Sequence, residues 1–505
     1  VSSRFTRQPV VASSTARVAQ FRGEKMRPAL HPAEKRLVAV LSVHLCFLPW
    51  ALGTMHPWAQ WVSLGLAVTG FWIALTPRQH GSEAGWSAVP FRTAMAPRLW
   101  RFPIFWIGLA LLAYIAVQGL NPWFRYMRND ERWWLVRLPD IAWLPTSVAA
   151  PFDNSNAWRQ LVIYGSAWLV VCSTWVGLTR RRSGRTLLVV LATNAVALGI
   201  LLIYQRATGE GRLPWPLIPR MSVHPPIASF VYHNHAGAYF GLMVFAAIAL
   251  ATWGYDHGAR TLKKSTPTAA LILLTLFLVG AVLFTLSRGA SLALGGMLVV
   301  FTGWFLVRQR LRPVQGGTDF RVTLTLAVIF AVFALYVGYS VDFSSVYNRF
   351  ASMMANKAND ESVSSRIQAH TAARLMLENH WVRGVGAGGF RHLFIIYVRI
   401  FPEIYQDGNL FWEHAHCDWL EIPIELGAVG VAIILAGVGC VVGALVRRWR
   451  QWHSAMIPLL FGCVATLLHA FIDFPFQCPA ILVTWCLLLT IACRMIGWSD
   501  ERMNG

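Results

Sequence analysis

Apolar runs of about twenty residues recur along almost the whole chain, and a run of that length wound as a helix crosses about 30 Å of hydrocarbon. They read as candidate spans at Leu37–Thr54, Pro57–Thr76, Phe102–Leu120, Trp158–Leu178, Thr186–Gln205, His235–Gly254, Thr268–Leu286, Ala290–Val307, Val322–Ser340, Ile422–Val446, Ala455–Ile472 and Pro479–Ile496. The 505 residues are 56% hydrophobic and only 13% charged, with a mean hydropathy of +0.48; a soluble domain carries about 25% charge. The 24 Trp suit the bilayer interface, where indole rings are favoured. The predicted fold class is an all-α polytopic membrane protein of about twelve transmembrane helices, with a large, partly helical periplasmic loop between the ninth and tenth spans.

Net charge is +21, a value that by itself suggests nucleic acid. The placement of that charge excludes the reading, because Lys and Arg cluster in short loops between apolar runs. Arg22, Lys25, Arg27, Lys35 and Arg36 precede the first span, and Arg78, Arg92, Arg98 and Arg101 precede the third. Arg180, Arg181, Arg182 and Arg185, then Lys263 and Lys264, then Arg308, Arg310 and Arg312, then Arg447, Arg448 and Arg450 follow even-numbered spans. Every second loop is basic, so those loops and both termini are expected on the cytoplasmic side. The expected organisation is a basic tail at 1–36, transmembrane helices with outer loops at 37–340, a large outer loop at 341–421 expected to carry the function, further spans at 422–497 and a short cytoplasmic tail at 498–505. Val1–Arg36 lacks an apolar core near its beginning and is not a cleavable signal peptide. It reads as a disordered tail, or as an extension upstream of a start at Met26.

Cys46, Cys172, Cys440, Cys463, Cys486 and Cys493 lie in apolar runs and read as small buried hydrophobes. A disulfide between Cys417 and Cys478 is the less favoured of two readings, and no C-x-x-C spacing points to zinc.

The outer loops break the charge rule, since Arg125, Arg128, Arg132, Arg206, Arg212, Arg220, Arg288, Arg349, Arg366, Arg374, Arg383, Arg391 and Arg399 all fall there. Either some of this charge meets an anion, or long loops translocate regardless of charge. Arg288 is the sharpest single residue. Ala269–Val307 is too long for one span, so Ser287-Arg288-Gly289 marks a hairpin tip beside the bilayer, where an Arg is costly unless it has a function or snorkels. Glu361–Asn379 reads as a loop helix capped by Asp360 or Ser362, with Arg366, His370 and Arg374 on one face. A guanidinium can hold two phosphate oxygens at once. The glycine cluster Gly384–Gly389 reads first as a tight turn and second as a phosphate-binding nest.

His414 and His416 precede a helix that carries Asp418, Glu421 and Glu425. A neutral imidazole can take a proton from a hydroxyl at neutral pH; a metal is disfavoured for want of a third ligand at suitable spacing. His233-Asn234-His235 opens the sixth span and reads as a sugar-cavity lining or a helix cap. His469 and Asp473 read as a supporting polar pair.

The runs Tyr232-His-Asn-His-Ala-Gly-Ala-Tyr239, Thr285-Leu-Ser-Arg-Gly-Ala290, Ser365-Arg366 leading to Gly384-Val-Gly-Ala-Gly-Gly-Phe390, and His414-Ala-His-Cys-Asp-Trp-Leu-Glu-Ile-Pro-Ile-Glu-Leu-Gly427 together resemble the bacterial O-antigen ligase and polymerase superfamily. The resemblance covers roughly Arg206 to Pro479 in motif order. It implies an inner-membrane glycosyltransferase that needs no metal and no cofactor. Such an enzyme moves a polyprenyl-diphosphate-linked glycan, with inversion, to a sugar hydroxyl of a glycan or lipid-core acceptor on the periplasmic face. On that resemblance Arg288 and Arg366 hold the donor diphosphate, His416 activates the acceptor, and His414, His235, Asn234, Arg374 and Glu425 contribute to substrate binding. One departure is Cys417, where the family commonly has Asn; it leaves the choice of base between His416 and His414 open. Ligation and repeat-unit polymerisation share this chemistry. A flippase for lipid-linked sugars is the rival from another class, and it predicts paired broken helices that the sequence does not contain.

Overall fold

Lipid offers backbone groups no hydrogen-bond partners, so an apolar run in a bilayer closes its N–H and C=O groups within a helix. The structure, a computed structural model, describes residues 30–80, 91–130, 132–209, 227–261, 268–311, 361–405 and 412–500. The bundle comprises α1 (Pro32–Trp50), α2 (Pro57–Leu75), the short α3 (Ala96–Trp100), α4 (Pro103–Leu120), α5 (Ala157–Gly177), α6 (Arg181–Thr208), α7 (His233–Thr261), α8 (Thr268–Phe284) and α9 (Arg288–Leu311). Helices α10 (Glu361–His380), α11 (Phe390–Val398) and α12 (Pro402–Tyr405) follow, then α13 (Asp418–Arg447), α14 (Met456–His469) and α15 (Pro479–Asp500). Eight of the described helices are long and apolar enough to cross a membrane, while α8 and α14 are apolar but shorter. The all-α polytopic reading stands. The expected span Val322–Ser340 lies outside the described residues.

The core of the bundle is built on α7, whose Phe240, Met243 and Phe245 are fully buried among Leu41 and Leu45 of α1, Leu191 and Leu198 of α6 and Leu487 and Ile491 of α15. Helix α13 instead stands at the flank beside α4, and Leu435, Val438, Val442 and Val446 on it are exposed, as a lipid-facing side requires. Cys440 is exposed on the same helix, which corrects the expectation that it is buried. Cys417 and Cys478 are both free thiols, and the Cys478 sulfur reaches the Gly53 carbonyl at 3.3 Å.

At the end of the bundle that carries the basic loops, Glu34 and Arg78 form an ion pair of 2.8 Å, their side chains 1% and 3% exposed. The Glu34 carboxylate also accepts from the Thr179 N–H at 2.9 Å, the Arg180 N–H at 3.1 Å and the Ser183 hydroxyl at 2.6 Å. Arg78 donates to the Gly177 carbonyl as well. One carboxylate thus ties together the starts of α1 and α6 and the ends of α2 and α5.

The opposite end carries a small loop domain. A sheet of order β4-β3-β5 joins β3 (Pro122–Arg128), β4 (Trp133–Arg137) and β5 (Ser147–Ala149). β3 pairs antiparallel with β4, Arg125 opposite Val136, and parallel with β5. Two earlier strands, β1 (Arg78–His80) and β2 (Phe91–Thr93), pair antiparallel at the basic end. Phe124 and Tyr126 turn inward onto Ala369, Ala372 and Met376 of α10 and Phe390 and Phe394 of α11. From the sequence, Asn121–Ala157 is one of the outer loops of 37–340, and the functional loop is 341–421. In fact the two loops pack into one unit, stitched by Arg383–Asp140 at 2.6 Å, by Thr146 on the Gly384 carbonyl at 3.0 Å and by His392 on the Ser155 carbonyl at 3.1 Å. The alternation in Trp123-Phe-Arg-Tyr-Met-Arg128, with Phe124 and Tyr126 in and Arg125 and Met127 out, is the strand signal that was available.

Candidate active site

Four polar turns and one face of α10 meet where the loop domain sits on the bundle. The turn after α14, Ala470–Cys478, supplies the centre. Phe474 stacks with Tyr232 at 5.3 Å and His414 at 4.4 Å between centroids, and meets His235 at 4.9 Å and His416 at 4.9 Å edge-on. Beside it Asp473 is buried, accepts from the Phe474 N–H at 2.9 Å and from the Asn234 amide, and has His416 Nδ1 at 3.9 Å and His469 Nε2 at 4.0 Å. Burial lifts the Asp473 carboxyl to about 6, although Arg366, the Phe474 N–H and Asn234 pull the other way. Asn234 and His235 therefore do not cap α7 alone; they fasten its first turn to the 470–478 turn, His235 through the Phe474 carbonyl at 3.3 Å.

His416 occupies a left-handed backbone conformation, φ +52°, which is uncommon outside glycine and costly enough to need support from its surroundings. His370 Nε2 lies 3.3 Å from the His416 carbonyl, so α10 holds the strained turn. Burial and the neighbouring Arg366 and imidazoles push the His416 ring down to about 3, so it is neutral at pH 7. Its Nδ1 has no hydrogen-bond partner among the described residues. His414 is different. Its Nδ1 lies 2.7 Å from Glu421 Oε1, and the other Glu421 oxygen accepts from the Ala415 N–H at 2.7 Å. Burial works against protonation of His414, but Glu421, with Glu413 and Glu425, outweighs it and raises the group above its ordinary value. His414 is thus committed to a carboxylate, while His416 faces the cluster as a neutral imidazole.

Arg366 is half-buried and donates to the Ile472 carbonyl at 3.3 Å; its charge bears on Tyr232, His416, His469 and Asp473. The start of α9, which carries Arg288, packs against the same segment. Leu286, with φ +59°, turns the chain between α8 and α9, the Ser287 hydroxyl caps α9 by accepting from the Ala290 N–H at 3.2 Å, and Arg288 is the first residue of α9. Gly289 lies so close to the turn that a Cβ there would come within 2.9 Å of both His469 Nε2 and Ile472 Cδ1. Arg366 and the first turn of α9 therefore both border Ile472.

Arg374 and Glu425 are not brought into this cluster. Arg374 is exposed, a turn beyond His370. The Glu425 carboxylate accepts from the Phe390 N–H at 3.2 Å and also from Gly388, so the glycine cluster wraps a carboxylate of its own chain. The turn interpretation of Gly384–Gly389 is the one realised. The Val385 and Gly386 N–H groups donate to the Ile424 and Glu425 carbonyls at 2.9 Å each, where α13 breaks at Gly427, φ +63° and ψ −175°. Gly386 must be glycine, since a Cβ would lie 2.4 Å from the Ser147 Cα.

Sequence reasoning paired His469 with Asp473 but missed that Asp473 joins Asn234 to His416, and missed Phe474 altogether. The Asp473-Phe-Pro475 run after an unusually short apolar helix was the available signal. Residues 272–435 match the family model described as O-antigen ligase. That match includes Arg288, Arg366, His414 and His416. No curated protein matches the chain.

Proposed function

We propose that the chain, whose residues 272–435 match the O-antigen ligase family model, is a membrane glycosyltransferase acting on a polyprenyl-diphosphate-linked glycan. The observation that carries the reading is a neutral His416 beside Arg366, at the turn on which the α9 start bearing Arg288 packs, at the end of the bundle remote from the basic loops. By the charge rule the basic loops and both termini are cytoplasmic, which puts the site on the periplasmic face of a bacterial inner membrane.

An acceptor hydroxyl oxygen attacks the anomeric carbon of the donor glycan from the face opposite the diphosphate. The bond from that carbon to the diphosphate oxygen breaks, the leaving group keeps the electron pair, and the configuration inverts. Arg288 and Arg366 neutralise the charge that grows on the departing diphosphate, the work a metal ion does elsewhere. The hydroxyl proton passes to His416, and Asp473, at 3.9 Å from Nδ1, closes on the imidazolium that forms. Asn234 holds Asp473 in place, and His414, tied to Glu421, shapes the turn that presents His416.

The test is transfer by the purified protein from a polyprenyl-diphosphate-linked oligosaccharide to glycan and to lipid-core acceptors. A ladder of products assigns repeat-unit polymerisation and a single addition assigns ligation; failure to consume the donor with either acceptor class overturns the reading. EDTA is expected to leave the rate unchanged, and inhibition reversed by a divalent ion would return a metal to the mechanism.

The carboxyl of Asp473, lifted to about 6, gives the reaction an acid limb. As pH falls through that value Asp473 takes up a proton and no longer balances the imidazolium, so activity drops. Asp473→Asn is expected to lower the plateau and flatten the limb. A wild-type profile that stays level between about pH 5 and 7 contradicts this role.

A further inference from the structure

A second site lies at the same end of the molecule, away from the His416 cluster. Between the ends of α4 and α5, alongside β3 and β5, is an open cleft of about 350 Å³. Gly119 is the penultimate residue of α4, and Ala157 and Trp158 are the first of α5. Both helices are long and apolar enough to span, so the cleft opens where they leave the hydrocarbon. The Trp158 indole, 43% exposed, lies flat on α4 because residue 119 has no side chain; a Cβ there would come within 2.9 Å of the ring. Tyr126 and Arg125 of β3 also line the cleft, and Val148, Ala149 and Ala150 give it an apolar wall. Among the described residues Arg125 is the one charged group in the lining, which contains no carboxylate. At the Asn156 cap of α5 the Arg159 N–H is already taken, by the Asn156 side-chain oxygen at 2.9 Å. The glycine turn packs on Ser147 and Ser155, and no residue of the His416 cluster lines the cleft. Outside it, Leu120 is 74% exposed, and Leu109 and Trp106 continue the exposed apolar flank of α4.

An aromatic ring beside a lone guanidinium, at the head of a lipid-facing helix, matches the headgroup of an amphiphile. We propose that this cleft binds the phosphate-bearing saccharide headgroup of a glycolipid. The sugar face lies on Trp158, the phosphate meets Arg125, and the tail runs down the exposed side of α4. The site is independent of the transfer chemistry, and only its assignment to a substrate of the enzyme rests on the transferase reading.

The test uses the full chain in neutral detergent, with binding read by native mass spectrometry. Phosphatidylinositol 4-phosphate serves as the probe, phosphatidylcholine as the lipid control and glucose 6-phosphate as the soluble control. The phosphorylated lipid is expected to bind more tightly than either control. Arg125→Ala should weaken it about tenfold, the effect of one charge-assisted hydrogen bond, and Trp158→Leu should weaken it as well. Arg137→Ala, on the same sheet but outside the lining, should not. His416→Ala should bind the probe normally while losing transfer, which separates a failure of this site from a failure of the transferase reading. Unchanged binding by Arg125→Ala, or equal binding of phosphatidylcholine, overturns the site; equal binding of glucose 6-phosphate removes the tail from it.

Discussion

His416→Ala is expected to cut glycan transfer by about 10²–10⁴-fold at neutral pH, the range for loss of a positioned general base, with the protein still inserted in the membrane. The ring is held by a strained turn, φ +52°, and burial beside Arg366 keeps it unprotonated. In the empty site this makes it a weak base. A bound diphosphate offsets the charge of Arg366, the second cause of that depression after burial, and so raises the proton affinity of the imidazole. Arg366→Ala and Arg288→Ala should each cost about 10²–10³-fold, as for removal of one donor that meets developing charge. Arg366→Lys should recover little, since an ammonium lacks the planar fork of a guanidinium. Initial rates with a diphosphate-linked donor measure all four variants. Full activity of His416→Ala would move the base to His414, although the Glu421 contact at 2.7 Å already engages that ring.

The largest expected effect on stability lies at the other end of the molecule. Glu34→Ala or Arg78→Ala should each lower stability by about 3–5 kcal/mol, because each leaves the partner charged, buried and unpaired. Loss of Glu34 also strands the Thr179 and Arg180 N–H groups and the Ser183 hydroxyl. Replacing both at once, as Glu34→Leu with Arg78→Met, should restore much of the loss, since exchanging a buried ion pair for apolar groups of similar volume is often neutral. Denaturation midpoints of the detergent-solubilised variants decide the matter. Single variants as stable as the parent would mean that water reaches the pair. Transfer by correctly folded single variants should be unaffected, because the pair lies at the end opposite the catalytic cluster.

The arginines of the loop-domain end illustrate what sequence alone resolves. Their number suggested an anion, yet they divide by neighbour. Arg383 is spent on Asp140, Arg391 pairs with Glu413 at 3.3 Å and Arg399 lies over the Tyr405 ring. Arg366 faces the catalytic cluster, and Arg125 faces the cleft. Spacing cannot distinguish these fates, since each depends on residues more than a hundred positions away or on a loop folded back. Glu425 is the complementary case. One turn after Glu421 it looked equally available, and the glycine turn encloses it instead.

The sequence by itself determined the membrane-spanning architecture, the orientation expected from its charged loops, the hairpin tip at Arg288 and the helix that bears Arg366. Those features follow from local period, run length and charge, which a chain displays without folding. Tertiary structure alone decided that two distant loops form one domain. It also decided that Asp473 and Phe474 organise the histidines, and that His416 rather than His414 is left uncommitted. These depend on which groups approach once the helices pack, and on how burial and neighbouring charge then set each one's protonation.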